Sequence, residues 1–160
     1  MFGHAAVTAL TLDDITARAS SQLSPPAQER LAQWHHAIVT SKNEPIKTKL
    51  ELANRFFNEH IIWESDDYIW DSEDYWATPL ETLGKGQGDC EDYAIAKYTS
   101  LVLMGVSPES LRMVYVRADN NGITQAHMVL AWYEKPTSDP LILDNLAPDI
   151  LPASKRQDLR

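Results

Sequence analysis

The sequence predicts an α+β fold, with N-terminal helices and one central helix packed on an antiparallel sheet, and three observations carry that reading. Apolar residues recur at helical spacing from Leu31 through Leu101. A glycine-rich stretch, GKGQG at 84–88, separates the early helices from one further helical segment. After Gly105 the pattern changes to strand-like runs joined by turn residues, and helices followed by strands is the order of an α+β chain.

The elements follow in order. TLDDITARASSQL opens with Thr11 as N-cap and acids in its first turn. Ser24 with Pro25 and Pro26 starts PPAQERLAQWHHAIVTS, whose apolar positions are Leu31, Trp34, Ile38 and Val39. PIKTKLELANRFFNEHI aligns Ile46, Leu50, Ala53, Phe57 and Ile61 on one stripe. TPLE at 78–81 is a capping box with Pro79 at the first helical position, predicting a short helix to Gly84. DCEDYAIAKYTSLVLMG then predicts a helix capped by Asp89, with Ala94, Tyr98, Leu101 and Val102 as its stripe and Gly105 as its end. RMVYVRA and AHMVLAWYE flank a hairpin turn at Asn121-Gly122, and PLILDNL supplies a third strand.

Length and charge narrow the function. A chain of 160 residues reads as one domain, 1–160, able to bury its own core, with residues 1–10 a flexible tail or expression remnant. The net charge of -9 argues against nucleic acid and anionic membrane as partners. No apolar run approaches the roughly 18 to 20 residues that span a bilayer. A single cysteine forms no internal bridge and leaves the compartment open. Between Glu64 and Asp92 stand ten acids against one base, Lys85. The run from Glu64 to Asp74 lacks the spacing of an EF-hand loop and reads as a solvated surface, with Trp70 and Trp76 as core or contact residues.

The only cysteine, Cys90, stands at the predicted start of the central helix. Free N–H groups and the helix dipole there favour thiolate. The flanking Asp89, Glu91 and Asp92 oppose it, since nearby negative charge makes a thiol proton harder to remove. Position alone leaves Cys90 open between a nucleophile and a buried structural cysteine. His127 on a predicted strand is either a satisfied core histidine or a base, and Asp144 after LIL either a strand-end acid or the group that orients that base. Taken together the three stand in the Cys-His-Asp order of papain-like and transglutaminase-like enzymes, at intervals suited to a helix on a small sheet.

GKGQGDCEDYAIAKY, with TPLETL before it and QAHMVLAWY and LILDNL after it, resembles the bacterial transglutaminase-like cysteine proteinases, in particular the LapG type. The likeness runs from about Leu31 to Leu151. It implies a papain-like, transglutaminase-like fold with Cys90 as nucleophile, His127 as base and acid, and Asp144 orienting the imidazole. It further implies Ca2+ bound by Asp89, Glu91 and Asp92, whose neutralisation would reverse their effect on the thiol. The implied protein is periplasmic, with its export signal outside these residues. It cuts a large surface adhesin near the N-terminus at a paired-alanine site, and an inner-membrane cyclic di-GMP receptor of the LapD type sequesters it. Gln87 is either a second oxyanion donor or a plain polar loop residue, the latter being favoured. Two other activities remain: acyl transfer to an amine by the same triad, and an inactive calcium-dependent binding module.

Overall fold

Thr11 opens the first helix, α1 (Leu12–Ser20), by accepting from the Asp14 N–H at 3.1 Å while the Asp14 carboxylate takes the Thr11 N–H at 3.0 Å. Such caps stabilise a helix by about 1 kcal/mol. The computed structural model describes residues 11–120 and 122–160. The expected tail at 1–10, His4 with it, and Asn121 of the expected turn lie outside the described residues.

Helices α2 (Pro25–Ser41) and α3 (Ile46–His60) have the expected bounds within a residue or two. Their buried stripes are Leu31, Trp34 and Ile38 on α2, and Leu50, Ala53 and Phe57 on α3, with Ile61 following. Val39 and Ile46 differ from expectation: both are exposed. One residue on from Ile38 is a turn of about 100° around the helix axis, which carries Val39 off the packed face, and Ile46 begins α3 at the rim of a groove.

The acidic middle holds structure that local pattern did not announce. A strand β1 (Ile62–Trp63) precedes a one-turn helix α4 (Asp66–Trp70). The expected capping box, Thr78 with Glu81, opens α5 (Pro79–Lys85), which runs one residue past Gly84. Gly86 ends it at φ 70°, in the left-handed region that glycine adopts without penalty. Strand β2 (Gln87–Gly88) pairs parallel with β1, Ile62 opposite Gln87 and Trp63 opposite Gly88. That pairing lays the glycine loop against the Ile62–Glu64 segment, through Ile62 N–H to Gly86 O at 3.0 Å and Glu64 N–H to Gly88 O at 3.1 Å.

The central helix α6 (Cys90–Leu103) is enclosed on nearly every face. Ala94 and Leu101 of its expected stripe are buried, as are Tyr93, Ala96, Asp92, Lys97 and Ser100, while Tyr98 and Val102 are half-buried. Buried polar groups tie it in place: Trp34 Nε1 donates to Ser100 Oγ at 2.7 Å, and Tyr93 OH to the Ile61 carbonyl at 2.5 Å. The sheet against which it packs is antiparallel in the order β3 (Leu111–Asn120), β4 (Ile123–Trp132), β5 (Leu141–Leu143), β6 (Leu151–Pro152). The β3–β4 register sets Asn120 opposite Ile123, with Gly122 between them at φ 84°. A central helix packed on a small antiparallel sheet is therefore the architecture, with β6 added beyond the expected strands.

Candidate active site

Cys90 is the first residue of α6, half-buried, and lines a cleft of about 560 Å³ together with His127 of β4. Exposed Trp63, Tyr115 and Leu146 form its apolar walls. The backbone N–H of Met128, the residue after His127 on β4, is the one nearby group that favours the thiolate of Cys90. Gln87 is not among the residues lining this cleft; it lies in β2, paired with Ile62 of β1.

His127 and Asp144 are both almost wholly buried, and His127 Nε2 lies 2.7 Å from Asp144 Oδ1. The register explains the meeting. Leu130 pairs with Leu143, so Asp144, one residue past β5, stands beside the β4 segment that carries His127. Asp144 is tethered further by the Leu146 N–H on Oδ1 at 3.0 Å, by Arg156 Nη2 on Oδ2 at 2.6 Å, and by Asn58 Nδ2 on its carbonyl at 2.8 Å. Burial alone would raise the Asp144 carboxyl, but the His127 and Arg156 hydrogen bonds outweigh it and hold the group at about 2. An ionised carboxylate only accepts, so the neutral imidazole places its proton on Nε2 and keeps Nδ1 as the basic nitrogen.

The thiol differs from the expectation of a thiolate favoured by the helix start. Its pKa is raised: burial contributes most, then the hydrogen bond that Sγ donates to Glu91 Oε2 at 2.9 Å, then the charge of Glu91, with the Met128 N–H opposing. Burial and the adjacent Glu91 carboxylate together outweigh the helix N-terminus.

Those acids are not the caps they resemble. Asp89 occupies the N-cap position of α6 yet makes no side-chain cap bond, and its buried Oδ1 has no hydrogen-bond partner among the described residues. Asp92 accepts the Ala77 N–H on Oδ1 at 2.8 Å, and its Oδ2 is likewise buried and unpartnered. Asp66 accepts the Tyr75 N–H on Oδ2 at 2.6 Å, with Oδ1 again unpartnered. Asp66 thus corrects the reading of 64–74 as a wholly solvated surface: it is 4% exposed. Around it, Trp70 is half-buried under the Lys85 ammonium at 4.8 Å, while Trp76 is exposed.

Three groupings bring their ligand atoms within 4.8 Å of one another: Asp66 with Asp89 and Asp92, Asp66 with Asp74 and Glu91, and Asp89 with Cys90 and Glu91. No one grouping contains all of Asp89, Glu91 and Asp92; Asp66 links them. Burial, followed by the charges of Glu91 and Asp66, pushes Asp89 up to about 8. Burial, against the Ala77 N–H, pushes Asp92 up to about 6, and burial raises Asp66 as well. Converging buried carboxylates with orphaned oxygens fit a hard divalent cation. Gly88 is shaped to the same place, since a Cβ there would lie 2.9 Å from the Asp92 Cβ and Oδ2.

Sequence spacing missed Asp66, Asn58, Arg156 and Lys97. Lys97 is fully buried with Nζ unpartnered among the described residues, 5.5 Å from the Tyr93 ring centroid, and burial pushes it down to about 7 against the attraction of Asp144. The one cue in the sequence was Lys97 itself, a charge inside an otherwise apolar helix. A larger groove of about 830 Å³ beside α3 lacks a nucleophile.

Comparison with known proteins agrees with this geometry. The family model described as bacterial transglutaminase-like cysteine proteinase matches residues 27–157. Solved structures of Legionella pneumophila LapG are similar. The calcium-bound form is 39% identical with a TM-score of 0.83, covering 94% of this chain and 81% of that one. The EGTA-treated form is 41% identical with a TM-score of 0.83, covering 94% of this chain and 78% of that one. No curated protein sequence matches the chain.

Proposed function

Since the chain belongs to the bacterial transglutaminase-like cysteine proteinases and is a cysteine protease by that membership, we propose that it is a calcium-dependent endopeptidase with Cys90 as nucleophile, His127 as general base and acid, and Asp144 as the residue that orients the imidazole. The observation that carries the roles is the buried 2.7 Å contact between His127 Nε2 and Asp144 Oδ1 at the side of a cleft that also exposes Cys90.

His127 Nδ1 takes the proton from Cys90 Sγ, and the sulfur adds to the peptide carbonyl. The N–H of Cys90, in the unpaired first turn of α6, faces the developing oxyanion. Imidazolium then gives its proton to the leaving amine as the C–N bond breaks, leaving a thioester. In the second half His127 takes a proton from water, hydroxide adds to the thioester carbonyl, and the thiol is released with its proton restored. Trp63, Tyr115 and Leu146 offer apolar walls to an extended peptide.

Asp66, Asp89, Glu91 and Asp92 would hold Ca2+, which the calcium-bound LapG relative carries. When bound, a divalent cation supplies the positive charge that offsets the acids beside the thiol. Asp66 is an addition to the three ligands expected from the motif.

The substrate we propose is a large surface adhesin, cut near its N-terminus at paired alanines, in the periplasm, with sequestration by a LapD-type cyclic di-GMP receptor as the control. The likeness to LapG and the net charge of -9, unsuited to nucleic acid, support this reading. Mass spectrometry of an adhesin N-terminal fragment incubated with the protein and a lysine donor tests it. Two fragments split between the alanines, lost with Cys90→Ala, are expected; a cross-linked product points to acyl transfer, and an intact fragment to a binding module.

A further inference from the structure

We propose that Arg156 is a positioning residue for the His127–Asp144 pair, fixing the carboxylate that orients the catalytic imidazole; the proposal rests on the triad reading above. Asp144 has two oxygens and the imidazole uses one. His127 Nε2 and the Leu146 N–H meet Oδ1 at 2.7 and 3.0 Å, and Arg156 Nη2 takes Oδ2 at 2.6 Å. A carboxylate held at both oxygens cannot rotate about its Cβ–Cγ bond without breaking a charge-assisted bond. The guanidinium is suited to this because its donors lie in one rigid plane.

Arg156 is itself held so that it can do so. It is 5% exposed, and the carboxylate of Asp158 accepts from its Nε at 2.9 Å and its Nη2 at 2.6 Å. The 3-10 turn Ala153–Lys155 leads into it, the Arg156 N–H returning to the Ala153 carbonyl at 3.0 Å. The residues that follow line up on the edge of β3: the Asp119 N–H donates to the Asp158 carbonyl at 2.8 Å, and Arg117 and Arg160 exchange N–H to carbonyl bonds at 2.7 and 2.9 Å. The neighbouring residue of β3, Val116, pairs with His127. One strand thus carries the imidazole's backbone on one edge and the segment that presents Arg156 on the other. The charged groups around Asp144 are His127 from β4, Lys97 from α6, and Arg156 with Asp158 behind it. Lys97 makes no hydrogen bond among the described residues, so Arg156 is the charged partner that sets the carboxylate's direction.

The experiment uses the full chain with calcium and a fluorogenic peptide containing paired alanines. It compares wild type with Arg156→Met, Arg156→Lys and Asp158→Asn, and records the 15N resonances of the His127 imidazole, assigned through His127→Gln. Arg156→Met is expected to lower kcat on the order of a hundredfold, the scale of a small misplacement of catalytic groups, with KM within about twofold. Arg156→Lys recovers part of the loss, and the two His127 nitrogens in the methionine variant lose the wild-type Nε2–H pattern. Asp158 is partly exposed, so Asp158→Asn keeps the fold and shows a smaller fall in kcat in the same direction. Arg156→Met with wild-type kcat and wild-type His127 resonances overturns the proposal. If that variant fails to fold, unchanged kcat and resonances in Asp158→Asn overturn it instead. Cleavage that survives Asp144→Asn removes the triad reading, whereas the His127 spectrum decides the role of Arg156 independently of cleavage.

Discussion

His127 Nε2 and Asp144 Oδ1 stand 2.7 Å apart with both side chains almost wholly out of water, one on β4 and the other just past the end of β5. A contact of that kind fixes a tautomer, and the proposed chemistry requires Nδ1 to be the free nitrogen. Asp144→Asn is therefore expected to lower kcat on the order of ten-thousandfold and to cost about 3 kcal/mol of stability as a buried pair is broken. The pH dependence has a definite sign. The folded-state value, about 2, lies below the ordinary 3.8, so the carboxylate's contribution is present above pH 3.8 and is lost as pH falls through 2. Acid unfolding followed by circular dichroism should show the wild type and the variant converging over that window.

The carboxylate cluster titrates in the opposite sense. Asp89 at about 8 and Asp92 at about 6 lie above the ordinary 3.8, so without metal they favour the fold below pH 3.8 and that contribution fades as pH rises through 6 and then 8. Melting in EGTA should thus fall as pH climbs from about 4 to 8, and calcium should flatten the curve and raise it. Asp66→Ala and Asp89→Ala should both abolish the calcium response. An Asp66→Ala protein that responds like wild type removes Asp66 from the ligand set.

Gly88 tests the shape of the same cluster. The added methyl of Gly88→Ala would crowd Asp92 at 2.9 Å, and calcium affinity measured by calorimetry should fall by about 10- to 100-fold, the usual effect of disturbing a ligand's support. Melting in EGTA should move far less than melting in calcium.

Much of this arrangement is legible in the chain, for local reasons. Thr78 and Glu81 announce a helix start within four residues, and Cys90, His127 and Asp144 each sit at an element boundary or on a strand that periodicity can find. Asp66 could not be found that way. Its partners are reached only because β1 and β2 pair in parallel, a two-residue contact with no periodic signature. Arg156 and Asn58 reach Asp144 through a tail turn and a helix side, neither of which has spacing to read. The helix start and the flanking acids pull the thiol in opposite directions in the sequence, and burial, which no local spacing announces, joins Glu91 in deciding for the raised side.

Lys97 supplies a stability test that needs no substrate. A buried ammonium without a hydrogen bond is unfavourable, so Lys97→Met should stabilise the protein at pH 7 by about 1 to 3 kcal/mol. Its folded value of about 7 lies below the ordinary 10.5, so the wild type holds fewer protons folded than unfolded between them and should gain stability across that interval. Urea midpoints for the methionine variant should lack that rise.

Cys90, the one thiol in the chain, allows the central claim to be read without any substrate. Its rate of alkylation by iodoacetamide should be measured by intact mass across pH, once with calcium and once with EGTA. Calcium should make the sulfur react rapidly at neutral pH, while in EGTA reaction should wait for strongly alkaline solution, as the buried, acid-flanked thiol requires. Identical slow, alkaline profiles in both conditions would contradict a metal-supported nucleophile and leave Cys90 a structural residue.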